Sequence, residues 1–500
     1  MIPLKVNNFN LMKRRNFLKN IGLTGASLTI LPSRVVSGLG HIAPSDKLNI
    51  AGIGIGGKGR VNLKNMVGQN ITALCDCDHD YAERVFSSYP NAVRYKDYRV
   101  MLEKQKDIDA VVIATPDHTH TVIAAAAMES GKHVYLQKPL THSVWESRYL
   151  TGLAKRTGVT TQMGNEGHSN DSVYEVAEVV QSGCLGAVRD VHVWTNRPIW
   201  RQGMPKPLIK VAIPKSLDWD LFIGPAPMRE YSPEYHPWIW RGWWDFGTGA
   251  LGDMGCHLLD VPYYALKLGH PVAFQASSSL VNTESAPVSA KVSYQFPARA
   301  NLPYCQLPAL ELTWYDGGLM PPRPYDLPED APMNPGGGFM LVGSEATLIA
   351  EAYGAKWKVY KNGAVYIPQT KVKLERIPDH PLGGGRHEMH FVECCKNGDQ
   401  PSSEFSYAGP FNEMVVMGNL AVRLQSLQKT LLWDGEQMKV TNISPNEELT
   451  TAKLTPFSSN IITRSIERES QQLVKWNALN MCEEWIKHTY RPGWKLQTMQ

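Results

Sequence analysis

Six residues constrain this chain more than any others: Gly54-Ile55-Gly56-Gly57-Lys58-Gly59, set between a short apolar run and a helix-like stretch. Lys47 to Ile53 reads as a strand and Arg60 to Val67 as a helix, so the glycines stand in a G-x-G-x-x-G turn with the required strand-to-helix context. The first glycine allows the tight turn, the second lets backbone N–H groups approach a pyrophosphate, and the third lets helix and strand pack closely. The helix N-terminus then offers unpaired N–H donors and partial positive charge to that anion. Gly54, Gly56, Gly57 and Gly59 are therefore assigned to a dinucleotide site. A second strand, Ile71 to Cys75, ends at Asp76, 22 residues after Gly54. A carboxylate there accepts hydrogen bonds from ribose hydroxyls and repels a 2′-phosphate, so the expected cofactor is NAD rather than NADP.

The alternation continues downstream. Asp109 to Thr115 is a continuous apolar run, as in a parallel sheet covered on both faces. Thr121 to Ser130 is alanine-rich and helical, His133 to Leu136 is the next strand, and Ser143 to Thr157 the next helix. Repeated βα units with short connections predict a doubly wound Rossmann domain over residues 46–165. Thr115-Pro116 and Gln137-Lys138-Pro139 fall at the carboxyl ends of strands, the edge where such sheets bind ligands. Thr115, Pro116, His120 and Lys138 join the expected cofactor site.

Thr115-Pro116-Asp117-His118-Thr119-His120 and Gln137-Lys138-Pro139, behind that glycine turn, resemble the glucose–fructose oxidoreductase/inositol dehydrogenase/MocA family. Gly247-Thr248-Gly249-Ala250-Leu251-Gly252-Asp253-Met254-Gly255-Cys256-His257 looks like the same family's catalytic-helix motif. The resemblance runs from about Lys47 to Trp433 and reappears at Tyr490 to Leu496. It implies that Lys138, Asp253 and His257 carry the chemistry. One departure is plain: Gln137 stands where the family has a glutamate. The residues support these roles independently. Asp253 and His257 are spaced i, i+4 and share one helix face. A histidine suits proton removal from a sugar hydroxyl near neutral pH, with Asp253 orienting and stabilising the imidazolium. Lys138 would hydrogen-bond the reacting oxygen and offset its developing charge. His118, His133, His168, His387 and His390 have no comparable context, with His168 and Asn165 kept as cleft candidates.

From about Asp190 the pattern changes to scattered β segments (Val191 to Thr195, Ala290 to Phe296, Leu310 to Tyr315, Phe339 to Val342, Ala346 to Ala350), with helices over Asp253 to Leu268 and Ser406 to Gln428. This predicts an α+β domain on a large, mainly antiparallel open sheet over residues 166–440. Residues 441–500 read as an insertion, Ser444 to Gln472, and a tail returning to the body. Seven of the 14 tryptophans lie between Trp194 and Trp244, four of them just before the catalytic motif. Indole faces pack against the C–H faces of a pyranose, so Trp240, Trp243 and Trp244, with Arg241 and Asn165, are the expected substrate contacts.

Charge location matters more than its sum of +4. Residues 1–45 hold six basic side chains (Lys5, Lys13, Arg14, Arg15, Lys19, Arg34) and no acid, leaving 45 basic against 47 acidic elsewhere. The near-neutral body makes nucleic acid an unsuitable partner. Lys13-Arg14-Arg15-Asn16-Phe17-Leu18-Lys19, followed by the apolar Ile21 to Leu31, resembles a twin-arginine export signal. It predicts passage through the export machinery to the periplasm. No run approaches the ~20 apolar residues of a membrane span, so stable membrane insertion is not expected. Eight cysteines in 500 residues are too sparse for a disulfide scaffold, and none has zinc-ligand spacing.

The expected protein is an exported, NAD-dependent oxidoreductase acting on a sugar or glycoside hydroxyl, with C3 as one site and the cofactor held tightly through redox-neutral cycles. Two rivals are a glycoside hydrolase that uses NAD to oxidise, eliminate and reduce, and a non-catalytic sugar-binding module. Family resemblance implies a homo-oligomer.

Overall fold

The computed structural model describes residues 46–208, 211–454 and 472–496. The export-signal reading, on residues 1–45, lies outside them, as do residues 455–471 of the expected insertion.

The first sheet has six strands: β1 (Asn49–Ile53), β2 (Asn70–Cys75), β3 (Val93–Tyr95), β4 (Ala110–Ile113), β5 (His133–Leu136) and β6 (Thr161–Met163). They are parallel and ordered β3-β2-β1-β4-β5-β6, with β1 registered against both β2 and β4. Every residue of β4 is buried, which is why that strand reads as an unbroken apolar run. The intervening helices are α1 (Arg60–Asn65), α2 (His79–Ser88), α3 (Tyr98–Lys104), α4 (His120–Glu129) and α5 (Val144–Thr157). Their starts are written in the sequence. Asp78 accepts from the N–H groups of Asp80 and Tyr81 to cap α2, and Asp97 caps α3 through Arg99. Ser143 and Glu146 form a capping box on α5, which ends at Gly158 in the left-handed region.

After α6 (Asp171–Gln181) the chain enters a ten-stranded sheet. Its strands are β7 (Val188–Thr195), β8 (Ala273–Ser278), β9 (Ala290–Phe296), β10 (Leu310–Tyr315), β11 (Gly337–Gly343), β12 (Thr347–Glu351), β13 (Lys358–Lys361), β14 (Ala364–Tyr366), β15 (Leu431–Asp434) and β16 (Lys439–Val440). They lie in the order β14-β13-β12-β11-β7-β10-β9-β8-β15-β16. Pairing is antiparallel except between β7 and β10. The architecture expected from the sequence, a doubly wound parallel sheet followed by a large, mainly antiparallel one, is therefore the one found. β9 alternates buried and open residues, as a sheet covered on one face requires.

The connections carry α7 (Trp219–Ile223), α8 (Gly249–Leu258), α9 (Asp260–Ala265), α10 (Arg386–Asn397), α11 (Phe405–Leu424) and α12 (Ala478–Ile486). α11 is almost wholly buried and packs against α5, α8 and β8, tying the two sheets into one core. The single helix expected over Asp253 to Leu268 is instead two, beginning four residues earlier. Pro262 has no N–H for the Leu258 carbonyl, so the helical ladder breaks there. β17 (Glu448–Lys453), inside the expected insertion, pairs with β18 (Gln472–Asn477), which starts at the insertion's last residue and runs past it, as a separate antiparallel ribbon.

Candidate active site

The carboxyl edge of the first sheet opens into a cleft of about 620 Å³, lined from both halves of the described chain. At its floor the glycine turn is fixed by sterics. Gly54 has φ of 74°, and a Cβ there would lie 2.7 Å from the backbone of Ala114 and Thr115. A Cβ on Gly59 would lie 2.6 Å from the Gly54 carbonyl oxygen, so the loop closes on itself only with glycine at both places. Gly56 departs from expectation in part: it lines the cleft, but the space beside its Cα is taken by the Tyr81 ring of α2.

Asp76 stands just past β2 and faces the cleft. Its Oδ2 accepts from the Gly56 N–H at 3.1 Å and its Oδ1 from the Asp78 N–H at 3.0 Å. Burial raises its carboxyl pKa, against the lowering effect of those two N–H groups. The Cβ-free positions Gly54, Gly56, Gly57 and Gly59 beside a sheltered carboxylate fit the pyrophosphate and ribose of a dinucleotide. Thr115, Pro116 and Gly57 also line the cleft. His120 does not. It is buried behind the wall, with Nδ1 2.8 Å from the Pro139 carbonyl and Nε2 2.9 Å from that of Thr115. Burial pushes its pKa down to about 4, so the neutral ring donates to one of these two carbonyls at a time and is a wall residue rather than a cofactor contact.

The three expected catalytic residues meet in this cleft. Lys138, after β5, donates from Nζ to the Asp253 carbonyl at 2.7 Å and to Asp253 Oδ1 at 3.0 Å. Asp253 and His257 both lie on α8 and both face the cavity. The expected hydrogen bond from Asp253 to His257 is absent. Asp253 Oδ1 turns instead to Lys138 and to Arg241 Nε at 3.3 Å, because two cations outbid one neutral imidazole. Burial would raise the Asp253 pKa, but Lys138 and Arg241 hold it below the usual carboxylate value. His257 Nδ1 is buried without a hydrogen-bond partner. Burial and then the Lys138 charge push the imidazole down to about 3, so it is neutral with a free ring lone pair, and the nearby Asp253 carboxylate is the one group that raises its basicity. The Tyr353 ring meets it edge-on at 5.1 Å, from a backbone with φ of 61°.

The expected sugar contacts divide. Trp240 and Arg241 line the cleft. The Arg241 guanidinium lies between the Trp238 and Trp240 rings, 4.1 Å and 4.3 Å from their centroids. Trp243 and Trp244 are core residues. Trp243 is fully buried and donates to the Glu234 carbonyl, while Trp244 packs edge-on against Trp485. Asn165 is also turned away, accepting from Ser403 at 2.6 Å, although its neighbours Gly164 and Glu166 line the cleft. His168 is buried off the cleft, paired with Asp260 at 2.8 Å.

Sequence reasoning missed Trp238, Tyr81, Tyr353, Asp117 and Glu166, all cleft residues. Trp238 belonged to the same tryptophan cluster and Asp117 to the Thr-Pro-Asp motif. Glu166 pairs with Lys58 of the glycine turn at 2.7 Å. Tyr353 carried no signal, since it arrives from a loop after β12.

Two models of one oxidoreductase family match the chain. The NAD-binding Rossmann fold matches residues 48–165 and the C-terminal α/β domain matches residues 169–300. The chain belongs to the glucose–fructose oxidoreductase/inositol dehydrogenase/MocA family, whose first domain binds NAD. Among curated relatives, a glycosyl hydrolase family 109 protein from Shewanella pealeana is 29% identical over 202 residues, 35% of this chain and 44% of its own. A second, from a Shewanella species, is 30% identical over 35% of this chain and 43% of its own. The match thus spans less than half the length of these relatives. The aldose–aldose oxidoreductase of Caulobacter crescentus, solved with glycerol, shares the fold at 16% identity and a TM-score of 0.51, over 77% of this chain and 99% of its own. A levoglucosan dehydrogenase solved with NADH does so at 17% and 0.51, over 77% and 98%.

Proposed function

We propose that this protein is an NAD-dependent oxidoreductase that acts on a sugar or glycoside hydroxyl. The observation that carries the reading is the meeting of Lys138, Asp253 and a neutral His257 in the cleft that holds the glycine turn. Bound NAD would supply the acceptor for the hydride that leaves the substrate carbon. Lys138 then donates to the substrate oxygen, in place of its present bond to Asp253, and offsets negative charge on it. His257 takes the hydroxyl proton, and the Asp253 carboxylate stabilises the resulting imidazolium through space. Trp238, Trp240 and the clamped Arg241 supply an aromatic face and a fixed cation for the sugar. A levoglucosan dehydrogenase and an aldose–aldose oxidoreductase among the structural neighbours agree with a carbohydrate substrate.

Residues 46–165 and 166–440 serve as cofactor and substrate domains in this reading. The basic leader of residues 1–45 directs export to the periplasm, which favours a cofactor carried in with the folded protein, and the working unit is a homo-oligomer. The test is native mass spectrometry for bound dinucleotide, then a glycoside panel followed by the absorbance of reduced cofactor. His257→Ala should lower turnover by about 10² or more with cofactor content unchanged, and Lys138→Met should lower turnover as far. Full turnover in both variants overturns the assignment.

A second reading, an NAD-requiring glycoside hydrolase, is favoured by the family 109 relatives. It uses the same groups and differs in products: free sugar without net oxidation, rather than a ketosugar.

A further inference from the structure

The far end of the chain also reaches the cleft. Beyond α12, residues 487–496 run across the body and are fastened at separate points. The Tyr490 hydroxyl donates to Glu146, the capping-box acid of α5. Arg491 donates from Nε to the Gly224 carbonyl at 3.0 Å, from Nη1 to Asp220 at 2.6 Å and from its backbone N–H to the Pro225 carbonyl at 2.9 Å. One turn later Trp494 lines the cavity with Lys96, Asp97 and Tyr98. The Arg99 guanidinium covers the Trp494 ring at 4.8 Å and is itself gripped by Asp97 at 2.6 to 3.0 Å.

We infer that this tail is a strap that closes the adenosine end of the dinucleotide site, with the Trp494 indole as its contact to the adenine. The inference rests on the NAD reading and follows from the sheet order. The glycine turn follows β1, at the middle of the sheet. Lys138 follows β5, to one side of it, and marks the end where the chemistry occurs. Asp76 follows β2, to the other side, and marks the adenosine ribose. Residues 96–98 follow β3, farther out on that same side, and Trp494 stands among them. With its ribose at Asp76, a bound dinucleotide would direct its adenine base to this side, and the flat face of that base matches an indole covered by Arg99. The matched family models end at residue 300, while the resemblance in the sequence returns at Tyr490 to Leu496, the segment that forms this wall. A cofactor held under a strap anchored to α5 and α7 leaves only when the strap lifts, which is the property an enzyme carrying its own dinucleotide needs.

The test uses the full-length enzyme, stripped of nucleotide and titrated calorimetrically with NAD, AMP and nicotinamide mononucleotide, alongside the rate at which excess NAD chases bound NADH. Trp494→Ala should weaken NAD and AMP about 10- to 100-fold and speed the chase to match, with nicotinamide mononucleotide unchanged within twofold. Trp494→Phe should keep most of the affinity. Arg491→Ala should speed the chase while leaving the indole in place. An equal loss for NAD and nicotinamide mononucleotide, or no loss for either, overturns the strap. Wild-type protein that binds neither NAD nor AMP overturns the dinucleotide reading instead.

Discussion

Replacing Asp76 tests the cofactor site without knowing the substrate. The carboxylate is buried and each of its oxygens already accepts a backbone N–H. A 2′-phosphate carries a charge of about −1.5 to −2. At about 4 Å and an effective dielectric near 20, each pair of unit charges repels by about 4 kcal/mol, so even after screening NAD should bind at least ~10³-fold tighter than NADP. Asp76→Ala removes the repulsion and the ribose acceptor together. Losing hydrogen bonds to a charged group costs about 1.5–3 kcal/mol, so NAD should weaken about 10- to 100-fold while NADP gains. A further effect comes from the N–H groups of Gly56 and Asp78, which lose their acceptor at a cost of about 1–3 kcal/mol each if they stay dry. The variant should therefore melt lower than wild type and recover part of that loss in NADP or inorganic phosphate, whose oxygens can take the freed donors. Because burial raises the Asp76 pKa, the discrimination of the wild type should weaken as pH falls and the carboxylate takes up a proton. Calorimetric titration with both cofactors reads the ratio directly. A shift of less than threefold in the NAD/NADP ratio would refute the assignment of Asp76 to the ribose.

The tryptophans should separate cleanly. Trp243→Ala should cost about 3–5 kcal/mol of stability, seen as a lower denaturant midpoint, because its indole is fully buried and hydrogen-bonded. Trp238→Ala, at a half-exposed cleft residue, should leave that midpoint within about 0.5 kcal/mol and raise the KM for the sugar instead. Acid should destabilise the fold. Burial pushes His118 and His120 down to about 4 and His257 and His387 down to about 3, so below pH 6.5 the unfolded chain takes protons that the folded one refuses. Asp117, pushed up to about 6, and Asp316, pushed up to about 7, act the other way, since burial protonates them first in the folded state. Among these six groups alone, four imidazoles against two carboxyls leave an unfolded-state excess of about two protons near pH 5, a contribution on the order of 3 kcal/mol per pH unit, and the buried His142, also pushed down, adds to it. A melting temperature that is flat or rises between pH 6.5 and 4.5 would show these imidazoles to be charged in the folded protein.

What the sequence disclosed about the site was what local geometry dictates. The glycine turn, Asp76, Thr115 and Lys138 sit at fixed offsets from apolar strands, and strand ends in a parallel sheet define one edge. Asp253 and His257 share a face because of helical spacing. The failures fall where a side chain's direction depends on something brought from far away. Asp253 has the right spacing to hold His257, yet Arg241 and Lys138 claim it, and neither lies near it in a helical pattern. His120 has the right position beside Thr115, yet carbonyls of two separate loops capture its ring. Four tryptophans within eight residues look equivalent, yet the turn at Ile239–Gly242 sends Trp238 and Trp240 to the cleft and the following residues put Trp243 and Trp244 into the core.

The same distinction explains the division of labour in the cleft. The first sheet contributes groups tied to strand ends, and these suit a cofactor of one fixed shape. The substrate wall is built from loops and turns: Trp238 to Arg241, Tyr353 and the segment around Glu166. Loops of this kind are free to vary in length and aim without disturbing the strands beneath them. Selectivity for a particular sugar should therefore move with substitutions at Trp238, Arg241 and Tyr353 far more than with any change on the first sheet. Lys138 and His257 join the two parts: the lysine is carried by a strand end and the histidine by a helix, and their common cleft is where a bound dinucleotide and a sugar would have to meet.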